Sequence, residues 1–237
     1  NMSHELRTPL NAILLYSEIM QEDMADPVMS GHRSDAGKIH GAGQHLLGLI
    51  DDILDLSKIE AGHLRLDLQQ ISTLPFLHDL DSTIRSLVEK NGNRFELDLH
   101  RVPDHICSDP TRLRQILVNL LSNSAKFTRN GTVLLRARGE GVQLLLTVQD
   151  SGIGMTAEQQ TRVFQEFVQA DDSTTRKFGG TGLGLTLVKK FTDLLGGELA
   201  LQSMPGHGTT FTLKFPLAGP PREATSGVPP VELPPAT

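Results

Sequence analysis

Two narrow apolar stripes near the start of the chain set the first limit on its fold. Leu6, Leu10, Ile13, Ser17, Met20 and Met24 recur at alternating spacings of four and three, and from near Lys38 the residues Ile39, Ala42, Leu46, Leu49, Ile53 and Leu56 keep the same rhythm. That rhythm is the seam of a left-handed helical bundle. Between the stripes, DPVMSGHRSDAG is rich in breakers and reads as the turn of a helical hairpin. Two helices with one stripe each cannot enclose a core. The simplest missing partner is a second copy, which makes a dimeric four-helix bundle.

From about Ile71 the pattern changes. PFLHDLDSTIRSLVEK reads as a helix, RFELDLH alternates like a strand, and DPTRLRQILVNLLSNSAKF reads as a long helix with Asp109 as N-cap and Pro110 in its first position. TVLLRAR and VQLLLTVQD read as paired strands around GEG. A helix is expected from about Ala157 to Phe167, then a polar glycine-rich stretch to Gly184, a helix to about Leu195, and a last hairpin of ELALQS and TTFTLKF. Strands interleaved with helices make a second, α/β unit. The expected division is residues 1–65 for the hairpin, 66–218 for the α/β unit, and 219–237 for a proline-rich, disordered tail or linker.

Composition removes several functions. The chain of 237 residues has 22 basic against 28 acidic side chains, a net charge of −6, so general binding to nucleic acid or to an anionic membrane surface is not expected. Its one cysteine, Cys107, cannot form an internal disulfide, reads as a small packing residue and suits a reducing, cytoplasmic setting. No apolar run approaches the roughly 18 residues of a membrane span. Asn1 is not an initiator methionine, so the chain reads as a piece of a longer protein, compatible with the cytoplasmic part of a membrane-anchored sensor.

With Leu6 at heptad position d and Leu10 at a, His4 falls at b, Glu5 at c and Thr8 at f. All three point away from the seam, and Pro9 bends the helix beside them. Taken alone, His4 reads as an ordinary surface histidine with a chance acidic neighbour. The second unit shifts that balance. Asn119, Asn123 and Lys126 stand at i, i+4 and i+7, one polar stripe on a helix whose other side is Ile116, Leu117, Leu120 and Leu121. Asparagine costs a helix about 0.5–0.7 kcal/mol against alanine. Its amide oxygen suits a hard cation such as Mg²⁺, and lysine offers a point charge to phosphate; a solvated face is the plainer alternative.

In VQDSGIGMT, Asp150 ends an apolar strand and is followed by Gly152 and Gly154. A buried carboxylate can accept from an exocyclic amine such as adenine's, and glycines let backbone approach a planar ring. KFGGTGLGL has four glycines in six residues, from Gly179 to Gly184, directly before a helix, as a phosphate-cradling turn needs. Each glycine cluster alone could be a plain turn. No G-x-x-x-x-G-K-[ST] is present, which excludes a P-loop. GIGMTA matches the dinucleotide fingerprint in letters, but Asp150 would repel a pyrophosphate there and no second parallel strand follows.

In order along the chain, SHELRTPL resembles the phosphoacceptor box of sensor histidine kinases, NLLSNSAKFT, DSGIG, FQEF and GGTGLGL resemble that family's N, G1, F and G2 boxes, and GHGTTF resembles its closing glycine–threonine box. The resemblance spans roughly residues 1 to 216, and LIDDILDLSKIEAGHLRL is similar to the second bundle helix of kinases that carry receiver domains, as hybrid kinases do. It implies a helical hairpin forming a dimeric four-helix bundle, followed by an α/β sandwich ATP-binding domain of the type shared with gyrase, Hsp90 and MutL.

The resemblance further implies ATP and Mg²⁺ as cofactors. Asn123 would ligate Mg²⁺ with Asn119 beside it, and Lys126 would contact phosphate. Asp150 would take the adenine amine, with Gly152, Gly154 and Thr209 around the base. Gly180, Thr181, Gly182, Leu183 and Gly184 would close over the phosphates, and Phe164 and Phe167 would anchor that lid. His4 would attack the γ-phosphorus with Glu5 as proton acceptor, and the phosphoryl group would pass to an aspartate on a response-regulator receiver domain. Glu5 and Thr8 also fit the family's pattern for the reverse, phosphatase reaction. The alternatives are a dimeric nucleotide-binding switch without phosphoryl transfer and a general ATPase; the latter lacks a water-activating glutamate near Asn119. Two departures stand out: Ser124 where alanine is common, a small change, and Glu166 where proline is frequent. A His4 this close to the start would lie in a fraying first turn, so this piece is expected to bind ATP yet phosphorylate itself poorly.

Overall fold

The computed structural model describes residues 10–11, 13–20, 30–166 and 182–221. His4, Glu5, Thr8, Phe167, Gly180, Thr181 and the tail from residue 222 lie outside the described residues.

Residues 13–20 are helical and pack on the long helix α1 (Ser30–Glu60). Leu14 lies over Gly43, where a Cβ would come within 2.8 Å of its Cδ2, and Ser17 meets His40 at 3.3 Å, so the two helices run antiparallel. The helix begins eight residues earlier than the breaker-rich sequence suggested. Gly31 and Gly37 cost it about 1 kcal/mol each, but the extra turns bury Ala36. Among the described residues, only part of the seam is buried. Leu10, Ser17, Ala36 and Leu56 are buried, whereas Ile13, Met20, Ile39, Leu46 and Ile53 stay exposed.

The α/β unit is built from β1 (Gln69–Ser72), α2 (Thr73–Glu89), β2 (Arg94–His100), β3 (His105–Ser108), α3 (Pro110–Phe127), β4 (Thr132–Glu140), β5 (Gln143–Asp150), α4 (Ala157–Arg162), α5 (Gly184–Leu194), β6 (Glu198–Met204) and β7 (Gly208–Pro216). Five strands form one sheet in the order β2-β4-β5-β7-β6, parallel between β2 and β4 and antiparallel elsewhere. The short strands β1 and β3 pair separately. Alternation along the strands puts Val133, Leu135, Leu146, Val148, Phe211 and Leu213 on one buried face. Helices α2, α3 and α5 cover that face with Leu80, Ile84, Leu117, Leu120, Leu187 and Phe191, giving two layers around one core. Each such side chain contributes about 1.5–3 kcal/mol through removal from water.

Helix α3 starts where the sequence predicts: Asp109 Oδ1 accepts from the N–H groups of Thr111 and Arg112 at 2.9 and 3.1 Å, with Pro110 following. Helix α4 is shorter than expected and stops at Arg162 instead of reaching Phe167. The chain turns there because Phe164 is drawn inward: its carbonyl accepts from Thr186 Oγ1 at 3.0 Å and its ring meets Phe211 edge-on at 6.4 Å. Cys107 is half-buried, and its N–H donates to the Leu217 carbonyl, which holds the start of the exit segment against β3. Among the described residues, no helix is long and apolar enough to cross a membrane.

Candidate nucleotide site

Strand register creates the site's floor. Asp150, the last residue of β5, stands opposite Thr209 of β7, so the Thr209 N–H reaches its carboxylate. Oδ1 accepts from Gly152 N at 2.9 Å and Thr209 N at 3.2 Å, and Oδ2 accepts from Ser124 Oγ at 3.1 Å. Burial pushes the Asp150 carboxyl above its ordinary value, and the hydrogen bonds from Gly152, Ser124 and Thr209 pull it part of the way back. The expected pair Asp150 and Thr209 is therefore joined, and Ser124 joins them.

The two glycines after Asp150 are there for space and conformation. A Cβ on Gly152 would lie 2.5 Å from the Phe127 carbonyl and 2.9 Å from Asp150 Oδ1. Gly154 has φ +65° and packs on the Met204 carbonyl, so a side chain there is excluded twice over. Sequence reading missed Ser203, which fastens this wall: its hydroxyl donates to the Gly208 carbonyl, accepts from Met155 N at 2.8 Å, and lies 3.0 Å from Thr209 Oγ1. Thr128 was missed as well. Its hydroxyl is fully buried beside Gly152 and lacks a hydrogen-bond partner among the described residues. Only the β5–β7–β6 register brings Ser203 to this place, so no local motif announces it.

The other end of the site is the polar stripe of α3. Asn119, Asn123 and Lys126 are all half-buried. The Asn119 amide faces Gly184, the first residue of α5; a Cβ on Gly184 would lie 3.5 Å from Asn119 Oδ1. The stripe thus meets the open end of a helix of 11 residues, whose N–H groups favour anions. Gly182, with φ +72°, turns the chain into that helix, and Leu183 is fully buried and anchors the turn in the core. Lys126 has its ammonium over the Phe127 ring at 5.0 Å, and burial lowers its pKa.

The donor set fits a nucleotide with its cation. Among the described residues, no group of three or more His, Cys, Asp or Glu could hold a metal ion. A hard cation at the stripe would take the neutral amide oxygen of an asparagine and complete its shell from phosphates and water, the usual arrangement for Mg²⁺. The structure ties Asp150, Gly152 and Thr209 to the C-terminal part of α3 through Ser124 and the Phe127 carbonyl, and sets Gly184 beside Asn119 on the same helix, which also carries Asn123 and Lys126. Phe164 is fastened to α5 through Thr186 and to β7 through the Phe211 ring.

Comparison with known proteins matches two regions of the chain. Residues 1–62 match the family model of the His Kinase A (phospho-acceptor) domain, and residues 108–219 match that of the histidine kinase-, DNA gyrase B- and HSP90-like ATPase. The chain is 43% identical over 219 residues to the circadian input-output histidine kinase CikA of Synechococcus elongatus, covering 91% of this chain and 29% of the relative. It is 40% identical to the sensor protein GacS of Pseudomonas syringae pv. syringae, covering 97% of this chain and 26% of the relative. To BarA, a signal transduction histidine-protein kinase of Escherichia coli K12, it is 39% identical, covering 89% of this chain and 23% of the relative. The chain thus spans less than a third of the length of these curated relatives. Among solved structures, full-length ShkA in complex with AMPPNP superposes with a TM-score of 0.77 at 29% identity, covering 92% of this chain and 45% of that one. The fold, the order of its two units and these matches lead to one conclusion: the chain belongs to the histidine kinases and is a kinase core, a phospho-acceptor hairpin joined to an ATPase-like α/β domain.

Proposed function

We propose that this core phosphorylates itself on His4 with ATP and passes the phosphoryl group to an aspartate of a response-regulator receiver domain. The observation that carries the reading is the two-ended site on α3. Ser124 ties the helix to the base-reading carboxylate of Asp150, while Asn119, about 7.5 Å earlier along the axis, faces the α5 N-terminus. One end suits an amine-bearing ring and the other suits phosphates.

In this mechanism Asp150 accepts the adenine amine, with Gly152, Gly154 and Thr209 around the base. Asn119, Lys126 and the N-terminal turn of α5 hold the phosphates. The GGTGLGL segment, with Gly180, Thr181, Gly182, Leu183 and Gly184, closes over them, braced by Phe164 and Phe167. Mg²⁺, held by Asn123, would supply charge neutralisation at the phosphoryl oxygens. A neutral ring nitrogen of His4 attacks the γ-phosphorus; the P–N bond forms as the bond to the β–γ bridging oxygen breaks, and ADP leaves. Glu5 takes the proton from the other ring nitrogen. Glu5 and Thr8 would also serve the reverse, phosphatase reaction.

We place the core in the cytoplasm as a homodimer; the exposed stripe Ile39, Leu46 and Ile53, spaced by seven, supports the second part. The domain limits are 1–65, 66–218 and 219–237. The test is incubation with Mg²⁺ and radiolabelled ATP of the core extended upstream of Asn1, expected to give an acid-labile, base-stable phosphoprotein. His4→Gln removes the label and leaves nucleotide binding intact; label that survives the substitution overturns the assignment.

A further inference from the structure

Ser124 occupies a place where helix chemistry disfavours it. It lies inside α3, where serine costs about 0.5 kcal/mol against alanine. It is 2% exposed, and a buried hydroxyl left unpaired costs about 1–3 kcal/mol more. Its hydrogen bond to Asp150 Oδ2, at 3.1 Å and 26 residues away in sequence, is the compensation.

That bond changes what Asp150 can do. An ionised carboxylate has about four lone-pair positions. On Oδ1 two are taken by backbone donors, Gly152 N and Thr209 N. On Oδ2 one is taken by Ser124, the only side-chain donor to Asp150 among the described residues. One acceptor position remains, on Oδ2, and its direction is set by the Ser124 hydroxyl. We propose that Ser124 is a positioning residue for base selection: its O–H orients Asp150 Oδ2 so that the remaining lone pair accepts from the amino group at position 6 of a purine. This rests on the reading of Asp150 as the group that takes the base's amine.

The charge state agrees with this assignment. The groups that face the carboxyl from α3, from the turn after β5 and from β7 are Ser124, Gly152 N–H and Thr209 N–H, and no charged side chain is among the causes of its shift. Hydrogen bonds alone therefore oppose the burial that would protonate it. A protonated Asp150 would donate, and would suit the 6-oxo group of guanine. Donation from Ser124 favours the anion, hence an acceptor, hence a 6-amino purine.

The experiment measures the affinity of the full chain, with Mg²⁺, for ATP and for purine riboside 5′-triphosphate, which carries hydrogen at position 6. The unmodified chain binds ATP at least about tenfold more tightly, the worth of one hydrogen bond to a charged group. Ser124→Ala weakens ATP about fivefold and leaves the 6-hydrogen analogue unchanged, so the ratio narrows. Ser124→Cys, similar in size but a weak donor, falls between. Equal losses for both nucleotides, or an unchanged ratio, overturn the proposal and leave Ser124 a packing residue. If the unmodified chain does not discriminate, the reading of Asp150 itself falls, and the proposal with it, before any substitution is made. Alanine is common at this position in the family, so Ser124→Ala is expected to fold.

Discussion

Arg112 Nη1 lies 2.7 Å from Asp55 Oδ2, joining the first turn of α3 to the hairpin helix α1 across 57 residues of sequence. The guanidinium also reaches Gln115 Oε1 at 2.9 Å and sits over the Phe191 ring at 4.9 Å. Both side chains are mostly buried, at 20% and 13% exposure, so the pair is shielded from the screening that weakens surface ion pairs. Near the far end of α1, Lys190 bridges Glu60 at 3.1 Å and Glu166 at 3.2 Å. The hairpin exit and the α/β unit are thus fastened at two points.

Removing one member of the first pair leaves a half-buried charge without its partner. Asp55→Ala is expected to cost about 2 kcal/mol, below the 3–5 kcal/mol of a fully buried pair. Arg112→Ala should cost more, since its packing on Phe191 is lost as well. Denaturant unfolding measures both, and the double variant decides the cause. If Asp55→Ala and Arg112→Ala simply add, the contact contributes nothing specific.

A second outcome concerns Asp150. Burial raises its carboxyl, and the protonated form cannot accept from the adenine amine. The sign follows directly: affinity for ATP is full while the group is ionised and falls as pH drops, beginning at a higher pH than an ordinary exposed carboxylate would show. Asp150→Asn should bind ATP about a hundredfold more weakly and without that acidic fall. Calorimetric titration across pH checks it; a parallel pH profile in Asp150→Asn would assign the fall to another group.

These residues show what a one-dimensional reading reaches. The cap of α3 is legible because Asp109 meets its donors within three residues. The Asn119–Asn123–Lys126 stripe is legible because helical spacing is local. Strands β1 and β3 are not, since four residues, QQIS or HICS, are too short to display an alternation. The start of α1 is hidden because burial of Ala36 outweighs two glycines. Ser124 read as a small change from alanine, and only the fold brings its hydroxyl to a carboxylate on β5.

Asp52 offers a third measurement. Burial, then the charges of Asp55 and Asp51, push its carboxyl up to about 6 from 3.8. Because the folded value is the higher one, the folded state binds the proton more readily. Ionised Asp52 therefore costs stability above about pH 6, and the cost fades as pH falls toward 4. Asp52→Asn should stabilise the protein by about 1 kcal/mol at pH 8, after allowance for solvent screening of a half-exposed group. Below pH 4 the gain should vanish. A gain that persists there would mean that the amide improves packing instead.

The exposed hairpin stripe gives the last outcome. Ile39, Leu46 and Ile53 are 48%, 49% and 44% exposed and stand two helical turns apart. Ile13 and Met20 repeat the spacing on the preceding helix, also exposed. Among the described residues nothing covers these positions, although Leu10, Ser17 and Ala36 of the same hairpin are buried. In a two-fold bundle every stripe residue is buried twice, so losing one leucine removes about 3–6 kcal/mol from association. Leu46→Lys should therefore shift the dimer to monomer in sedimentation velocity at micromolar concentration. Lys38→Ala, one residue outside the stripe, should leave the mass unchanged. The α/β unit should keep its affinity for ATP in the Leu46→Lys monomer, because the site on α3 uses no hairpin residue. A dimer that survives Leu46→Lys would place the subunit contact elsewhere and leave the seven-residue spacing without a partner.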